Sequence, residues 1–235
     1  MYIYGKNTVL QALKDNKKIK KLLIANASNI KAVASQKKVK FQEVKKSDLD
    51  KLVKGNHQGV VAEVEDYRLY SVEEIVKDIA TDKLPLIVML DGIEDPHNLG
   101  AILRTGECIG VDGIIYKKHH AVSLNSTVAK VSCGAIERVK VAEVTNLTQT
   151  IKKLKQQGYW ICGTDVNEAS DYRSLNYDLP LVLVIGAEGK GISRLVKKEC
   201  DFLIKLPMLG SVSSLNASVA TGIILYEIYN KRNPL

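Results

Sequence analysis

The pattern of apolar and polar positions along the chain changes character near residue 85. Before that point apolar residues come in short groups broken by charge. Val9, Leu10 and Leu13 fall on one face of a helix predicted over residues 7–14. Lys21-Leu22-Leu23-Ile24-Ala25 predicts a strand, residues 29–37 a helix, and Lys40 to Val44 a further strand. Ser47 stands at a cap position ahead of a short helix carrying Leu49, Leu52 and Val53, and Gly59 to Val64 closes the block as a buried strand. Residues 1–66 therefore predict a small α/β domain near the lower size limit for independent folding. Residues 67–84 predict a linker with one embedded helix, because Ser71 and Glu74 have capping-box spacing ahead of Ile75 and Ile79.

After Pro85 the pattern becomes a regular alternation. Leu86-Ile87-Val88-Met89-Leu90 is a continuous apolar run, the signature of a strand buried on both faces. Further strands are predicted at Gly113 to Tyr116, Tyr159 to Thr164, Leu181 to Ile185 and Phe202 to Leu206. Helical stretches separate them, and a last helix runs from Asn216 to Tyr229. Strands alternating with helices predict an α/β fold over residues 85–235, with a parallel sheet covered on both faces.

Charge adds a second asymmetry. The net charge is +8, and residues 1–70 hold 15 Lys and Arg against 7 Asp and Glu, while the remainder holds 19 of each. An excess confined to one small domain points to a polyanionic partner, since neutralising phosphates and releasing their counterions drives nucleic-acid binding. Lys17, Lys18, Lys20, Lys21, Lys37, Lys38 and Lys40 are the candidate phosphate contacts; the competing reading is a solvated lysine-rich surface. No run approaches the roughly 18 apolar residues of a membrane span. Met1 to Lys6 lacks the apolar stretch of a secretory signal, so a cytoplasmic protein is expected. Cys108, Cys133, Cys162 and Cys200 lack CxxC spacing and read as reduced thiols in or near the core; His119-His120 has no partner at ligand spacing, so no metal is expected.

Ligands of open α/β sheets bind beyond the carboxyl ends of the strands. Three such ends carry unusual sequence: Asp91 to Gly100 leading into a helix with Arg104, Ile185 to Gly191, and Leu206 to Ser218. Singly, each has a plain structural reading. Asn98 could cap a helix, Arg104 could be a solvated charge, and the glycines could only turn the chain. Gly186, Gly189 and Gly191 have GxxGxG spacing after a late strand, which fails the dinucleotide fingerprint. The serine-rich stretch lacks the lysine of a P-loop.

Together the three stretches resemble the motifs of the SpoU (TrmH-type) branch of the SPOUT methyltransferases. The matches are DxxxDPxNxGxxxR at Asp91–Arg104, IGxEGxG at Ile185–Gly191, and PMxGxVxSLNxSxA at Pro207–Ala220. In the front domain, Tyr4-Gly5-Lys6-Asn7-Thr8-Val9 and His57-Gln58-Gly59-Val60-Val61-Ala62 resemble the family's substrate-binding domain, related in fold to a ribosomal L30-type protein. The resemblance implies S-adenosylmethionine-dependent methylation of a ribose 2′-hydroxyl in RNA, with a guanosine of 23S rRNA the favoured target. It also implies a deep trefoil knot and a homodimer with the active site near the subunit interface. Arg104, Asn98, Glu188, Ser214 and Asn216 become the catalytic candidates, and Gly186, Gly189, Leu206, Met208, Leu215 and Thr164 the cofactor-binding ones. Arg104 is the first choice for acting on the hydroxyl, by holding the neighbouring phosphate and stabilising a developing alkoxide. Asn7 and His57 read as packing or RNA-contact positions. The competing functions are the same chemistry on tRNA or on a resistance-conferring rRNA site, and an inactive RNA-binding or ribosome-assembly protein, which would bind no cofactor.

Overall fold

The computed structural model describes residues 1–118, 121–166, 169–211 and 214–234; His119 and His120, and Val212 of the third motif, lie outside them. The chain forms two compact units. One comprises Met1–Tyr67 with Leu124–Glu137, the other Arg68–Ser123 with Arg138–Leu235.

The first unit holds strands β1 (Tyr2–Tyr4), β2 (Ile19–Ile24), β3 (Gln42–Glu43) and β4 (Val60–Val64) in the order β1-β4-β2-β3. β4 pairs antiparallel with both β1 and β2, and β3 runs parallel to β2. Helices α1 (Lys6–Lys14) and α2 (Ser28–Gln36) bury Val9, Leu13 and Ile30 against Ile3, Leu22, Ile24 and Val64. Helix α3 (Lys46–Leu52) places Leu49 against Leu23 and Val61, which point to the opposite face of the pleat. Ser47 is not its cap: the N-cap position is Lys45, with no side-chain bond, and Ser47 lies within the first turn. The strand expected over residues 40–44 contracts to two exposed residues at the sheet edge. Residues 124–137, counted with the catalytic half in the linear reading, pack in this unit, where α6 (Ser126–Val131) adds Ala129 to its core.

In the second unit, α4 (Val72–Lys77) opens on the expected capping box of Ser71 and Glu74. Strands β5 (Leu86–Asp91), β6 (Gly113–Lys117), β7 (Lys140–Val144), β8 (Trp160–Thr164), β9 (Ser170–Asp171), β10 (Leu181–Gly186) and β11 (Phe202–Lys205) form one sheet. Their order is β7-β6-β5-β10-β8-β11-β9, with every pairing parallel. β7 went unpredicted. Ile87, Met89, Val182 and Val184 face α4, α7 (Leu147–Gln156) and α8 (Arg194–Glu199) through Ile75, Ile151, Leu154 and Val196. The alternate residues Val88, Leu90, Leu183 and Ile185 are equally buried, as the apolar runs require. Helices α5 (Pro96–Cys108) and α9 (Ala217–Arg232) pack on each other, and α9 also meets β10. Strands β5 to β7 step outward on one side of β5 and the later strands lie on the other, with the carboxyl ends of β8, β10 and β11 side by side.

Of the four thiols, only Cys162 is buried and Cys200 half-buried; Cys108 and Cys133 are exposed, contrary to the core reading. No helix among the described residues is long and apolar enough to cross a membrane.

Candidate active site

Asp95, not Asn98, caps α5: its Oδ1 accepts from the His97 N–H at 2.9 Å, and Pro96 occupies the first turn, where its missing N–H costs nothing. That leaves the Asn98 side chain free to turn inward. It is buried, and its Nδ2 donates to Glu188 Oε1 at 3.0 Å. Asn216 caps α9, with Oδ1 accepting from the N–H groups of Ser218 (3.0 Å) and Val219 (3.3 Å). Its Nδ2 meanwhile donates to Asn98 Oδ1 at 2.9 Å and to Glu188 Oε1 at 2.7 Å. The backbone N–H of Ala217 reaches the same carboxylate oxygen at 3.1 Å. One residue from each of the three motifs thus closes a hydrogen-bonded triangle. Its polar capacity is largely consumed internally, so Asn98 and Asn216 hold the loops together. Arg104 lies on α5, exposed, beyond the Asn98 turn.

Beside the triangle is a cavity of about 340 Å³, within the range of small-molecule sites. Glu188, Ser214, Thr164, Gly186, Gly189, Leu206, Met208 and Leu215 all line it; Asn98, Arg104 and Asn216 do not. Ile204, Leu206, Leu215 and Ile224 give it apolar walls, while the ends of β8, β10 and β11 bring backbone N–H and C=O groups to its edge. Thr164 spends its hydroxyl on the Val184 carbonyl at 3.2 Å. At Gly186 a Cβ would come within 2.1 Å of the Gly191 carbonyl carbon. The loop from Ala187 to Gly191 folds back on the strand end, each of these two residues donating to the other's carbonyl, and only glycine permits that approach. Asp91 Oδ2 secures the far side by accepting from the Ser193 N–H at 2.7 Å.

Asp165, Val166, Lys190, Lys205, Ala217 and Ala220 also line the cavity and were not singled out from sequence. Asp165 and Val166 directly follow the strand-end Thr164, and Lys190 sits between the motif glycines Gly189 and Gly191, so position alone could have nominated them. In the other unit, His57 is buried: Nδ1 accepts from the Gly59 N–H at 3.0 Å, which leaves Nε2–H to donate to Asp50 at 2.9 Å. Lys17 is not an open phosphate contact. Its ammonium meets Glu137 at 2.6 Å and lies 3.3 Å from the Tyr67 ring centre, and burial lowers its pKa.

A mostly apolar cleft with glycine-permitted backbone approach suits an adenosine-and-amino-acid cofactor. Residues 85–226 match the SpoU rRNA Methylase family, and residues 2–70 match the RNA 2′-O ribose methyltransferase substrate binding family. A Bacillus subtilis protein described as a TrmH family tRNA/rRNA methyltransferase, YacO, is 46% identical, the match covering 100% of this chain and 97% of that one. The AdoMet-bound rRNA methyltransferase from Sinorhizobium meliloti superposes with a TM-score of 0.80 at 28% identity, over 100% of this chain and 87% of the other. The AdoMet complex of AviRb from Streptomyces viridochromogenes shares the fold, with a TM-score of 0.80 at 23% identity over 99% of this chain and 90% of the other. The chain belongs to the SpoU rRNA methylase family and is an S-adenosylmethionine-dependent RNA 2′-O-ribose methyltransferase.

Proposed function

We propose that the substrate is large-subunit ribosomal RNA, that the methylated nucleoside is a guanosine, and that the enzyme works in the cytoplasm as a homodimer with a knotted cofactor site. The observation that carries the site assignment is the Asn98–Glu188–Asn216 triangle beside the apolar cavity. The rRNA preference draws support from the full-length likeness to the Sinorhizobium meliloti rRNA methyltransferase, whereas the basic first 70 residues suit RNA of either kind. The Bacillus subtilis relative's name includes tRNA, which makes tRNA the second reading.

Backbone groups around Gly186, Leu206 and Leu215 would hold the cofactor's adenosine and methionine parts, with Thr164, Gly189 and Met208 along the same wall. When bound, S-adenosylmethionine supplies a methyl group on a positively charged sulfur. The chain's own task is to present a ribose oxygen in line, to favour its negative charge and to exclude water. Arg104 holds the phosphate next to the target ribose and stabilises the developing alkoxide. A guanidinium is a permanent cation, which suits that role better than proton acceptance. The proton therefore leaves to that phosphate or to a water. Ser214, on the cavity edge, donates to the ribose. Asn98, Glu188 and Asn216 act as positioning residues that fix α5, and with it Arg104, against the cavity loops.

Replacing Arg104 with Ala is expected to abolish methyl transfer, by a factor of about 10² or more, with cofactor affinity by calorimetry and thermal unfolding unchanged. Ribose-methylation mapping of rRNA and tRNA from cells with and without the enzyme identifies the target. A lost methyl group in tRNA alone refutes the rRNA assignment, and full activity of Arg104→Ala refutes the role of Arg104.

A further inference from the structure

The basic unit contains a second cavity, of about 410 Å³, open and polar, that the methyl-transfer site does not use. Its lining comes from Lys6 at the start of α1, just after the β1–α1 loop, from the loops at Ala25-Asn26 after β2 and Gly55 to Gly59 before β4, and from Lys46 and Asp50 of α3. These segments draw on the two front-domain motifs, separated by about fifty residues in sequence.

The floor is fixed before any ligand arrives. The Ala25 N–H donates to the Gly59 carbonyl at 2.8 Å, and the Gly59 N–H to His57 Nδ1 at 3.0 Å. Gly59 has φ +81°, and a Cβ there would come within 2.8 Å of the Asn26 carbonyl oxygen, so no other residue fits. Gln58 is held in the left-handed region at φ 51°. Its Oε1 accepts from the Lys6 N–H at 2.9 Å, and Asn56 Oδ1 accepts from the Gln58 N–H at 3.3 Å. With both carbonyl oxygens engaged, the amide nitrogens of Asn56 and Gln58 have no acceptor among the described residues. Asp50 is occupied by His57, whereas Lys6 and Lys46 have no acidic partner among the described residues.

Exposed amide donors, with two ammonium groups against the single carboxylate of Asp50, match one ligand chemistry: a base whose edge offers acceptors, attached to phosphate. Such an edge is accessible only in an unpaired nucleotide. We infer that this cavity binds a single unpaired nucleotide of the RNA substrate, its base against Asn56 and Gln58 and its phosphates against Lys6 and Lys46. The inference rests on the front unit being the RNA-binding one, and it assigns that unit a loop-reading role rather than a general attraction for RNA.

The test measures binding of the full chain to a fluorescent RNA hairpin with a randomised loop, and to a fully paired duplex of the same stem, across a salt series. The wild type is expected to prefer the hairpin. Lys6→Gln with Lys46→Gln should weaken hairpin binding and reduce the slope of log K against log salt by about 1.4, two single-strand phosphate contacts. Asn56→Ala should weaken it about fivefold, an ordinary hydrogen bond's worth, at unchanged slope. Duplex binding, thermal unfolding and S-adenosylmethionine affinity should not move. Wild-type hairpin affinity and slope in both variants overturn the cavity assignment while leaving RNA binding by the chain intact. A wild type that binds hairpin and duplex equally overturns the loop-reading role. A wild type that binds neither overturns the RNA-binding reading beneath it.

Discussion

Glu188 offers one oxygen to three donors, and that geometry separates two roles a carboxylate can have beside a reacting hydroxyl. Asn98 Nδ2, Asn216 Nδ2 and the Ala217 N–H all reach Oε1, at 3.0, 2.7 and 3.1 Å. Glutamine keeps an acceptor oxygen in that place; alanine keeps nothing. Glu188→Gln is therefore expected to retain most methyl-transfer activity and native stability. Glu188→Ala should lose about 1–2 kcal/mol of stability and about 10²-fold in rate through misplaced loops. Equal loss in the two variants, measured by methyl transfer and thermal unfolding, would mean that the carboxylate itself takes the proton. The thiols divide just as sharply. Burial pushes the Cys162 and Cys200 thiols up to about 12, so almost no thiolate exists near neutrality, whereas Cys108 and Cys133 are exposed. A thiol-reactive dye at pH 8 should label Cys108 and Cys133 quickly in the native enzyme and all four cysteines after denaturation. Fast labelling of Cys162 would contradict the packing described.

At the scale of elements, α9 is anchored at both ends. Asn216 ties its start to α5 and the Glu188 loop. Near its end, Arg232 donates to the carbonyls of Leu84, Pro85, Tyr177 and Leu179, with burial lowering its pKa. Asn216→Asp keeps the cap, since Oδ1 still accepts from Ser218 and Val219, but it removes the donor and sets a second carboxylate against Glu188. Cofactor affinity should fall while the helical content of the protein stays constant, and Asn216→Ala should cost about 1 kcal/mol more in stability by losing the cap as well. Unchanged cofactor affinity in Asn216→Asp would remove Asn216 from the positioning set. The start of α9 near Asn216 was readable in the chain, from the long helical stretch that begins there. The triangle was not: Asn98 and Asn216 are 118 residues apart, and only the strand order brings their loops together. β7 escaped for a different reason. Lys140-Val141-Ala142-Glu143-Val144 is short and half-polar because it forms the sheet edge, so it lacks the continuous apolar run that marked β5 and β10.

For the molecule as a whole, linear order and packing part company at residues 124–137, which belong with the front unit although they lie inside the catalytic half. Hydrophobic periodicity locates elements but carries no label for the core they join, and Ala129 reads the same in either. The surface left over is informative in the same way. On α9, Val219, Ile223 and Tyr226 recur at helical spacing and are 50%, 38% and 49% exposed, on the side away from buried Ile224, Leu225 and Ile228. Leu209, in the third motif, is fully exposed. A helix apolar on both sides is built to be covered on both sides, and a self-complementary stripe is what a two-fold interface uses. The homodimer proposal thus acquires a definite surface, adjacent in sequence to the cavity residues Ala217 and Ala220. Ile223→Glu with Tyr226→Glu should convert the enzyme to a monomer by sedimentation equilibrium, without lowering the helical content. If the site is completed near that interface, methyl transfer should fall in parallel with the dimer fraction and recover at high protein concentration. A double variant that remains dimeric would move the interface off α9, and a monomeric one with full activity would detach the site from it.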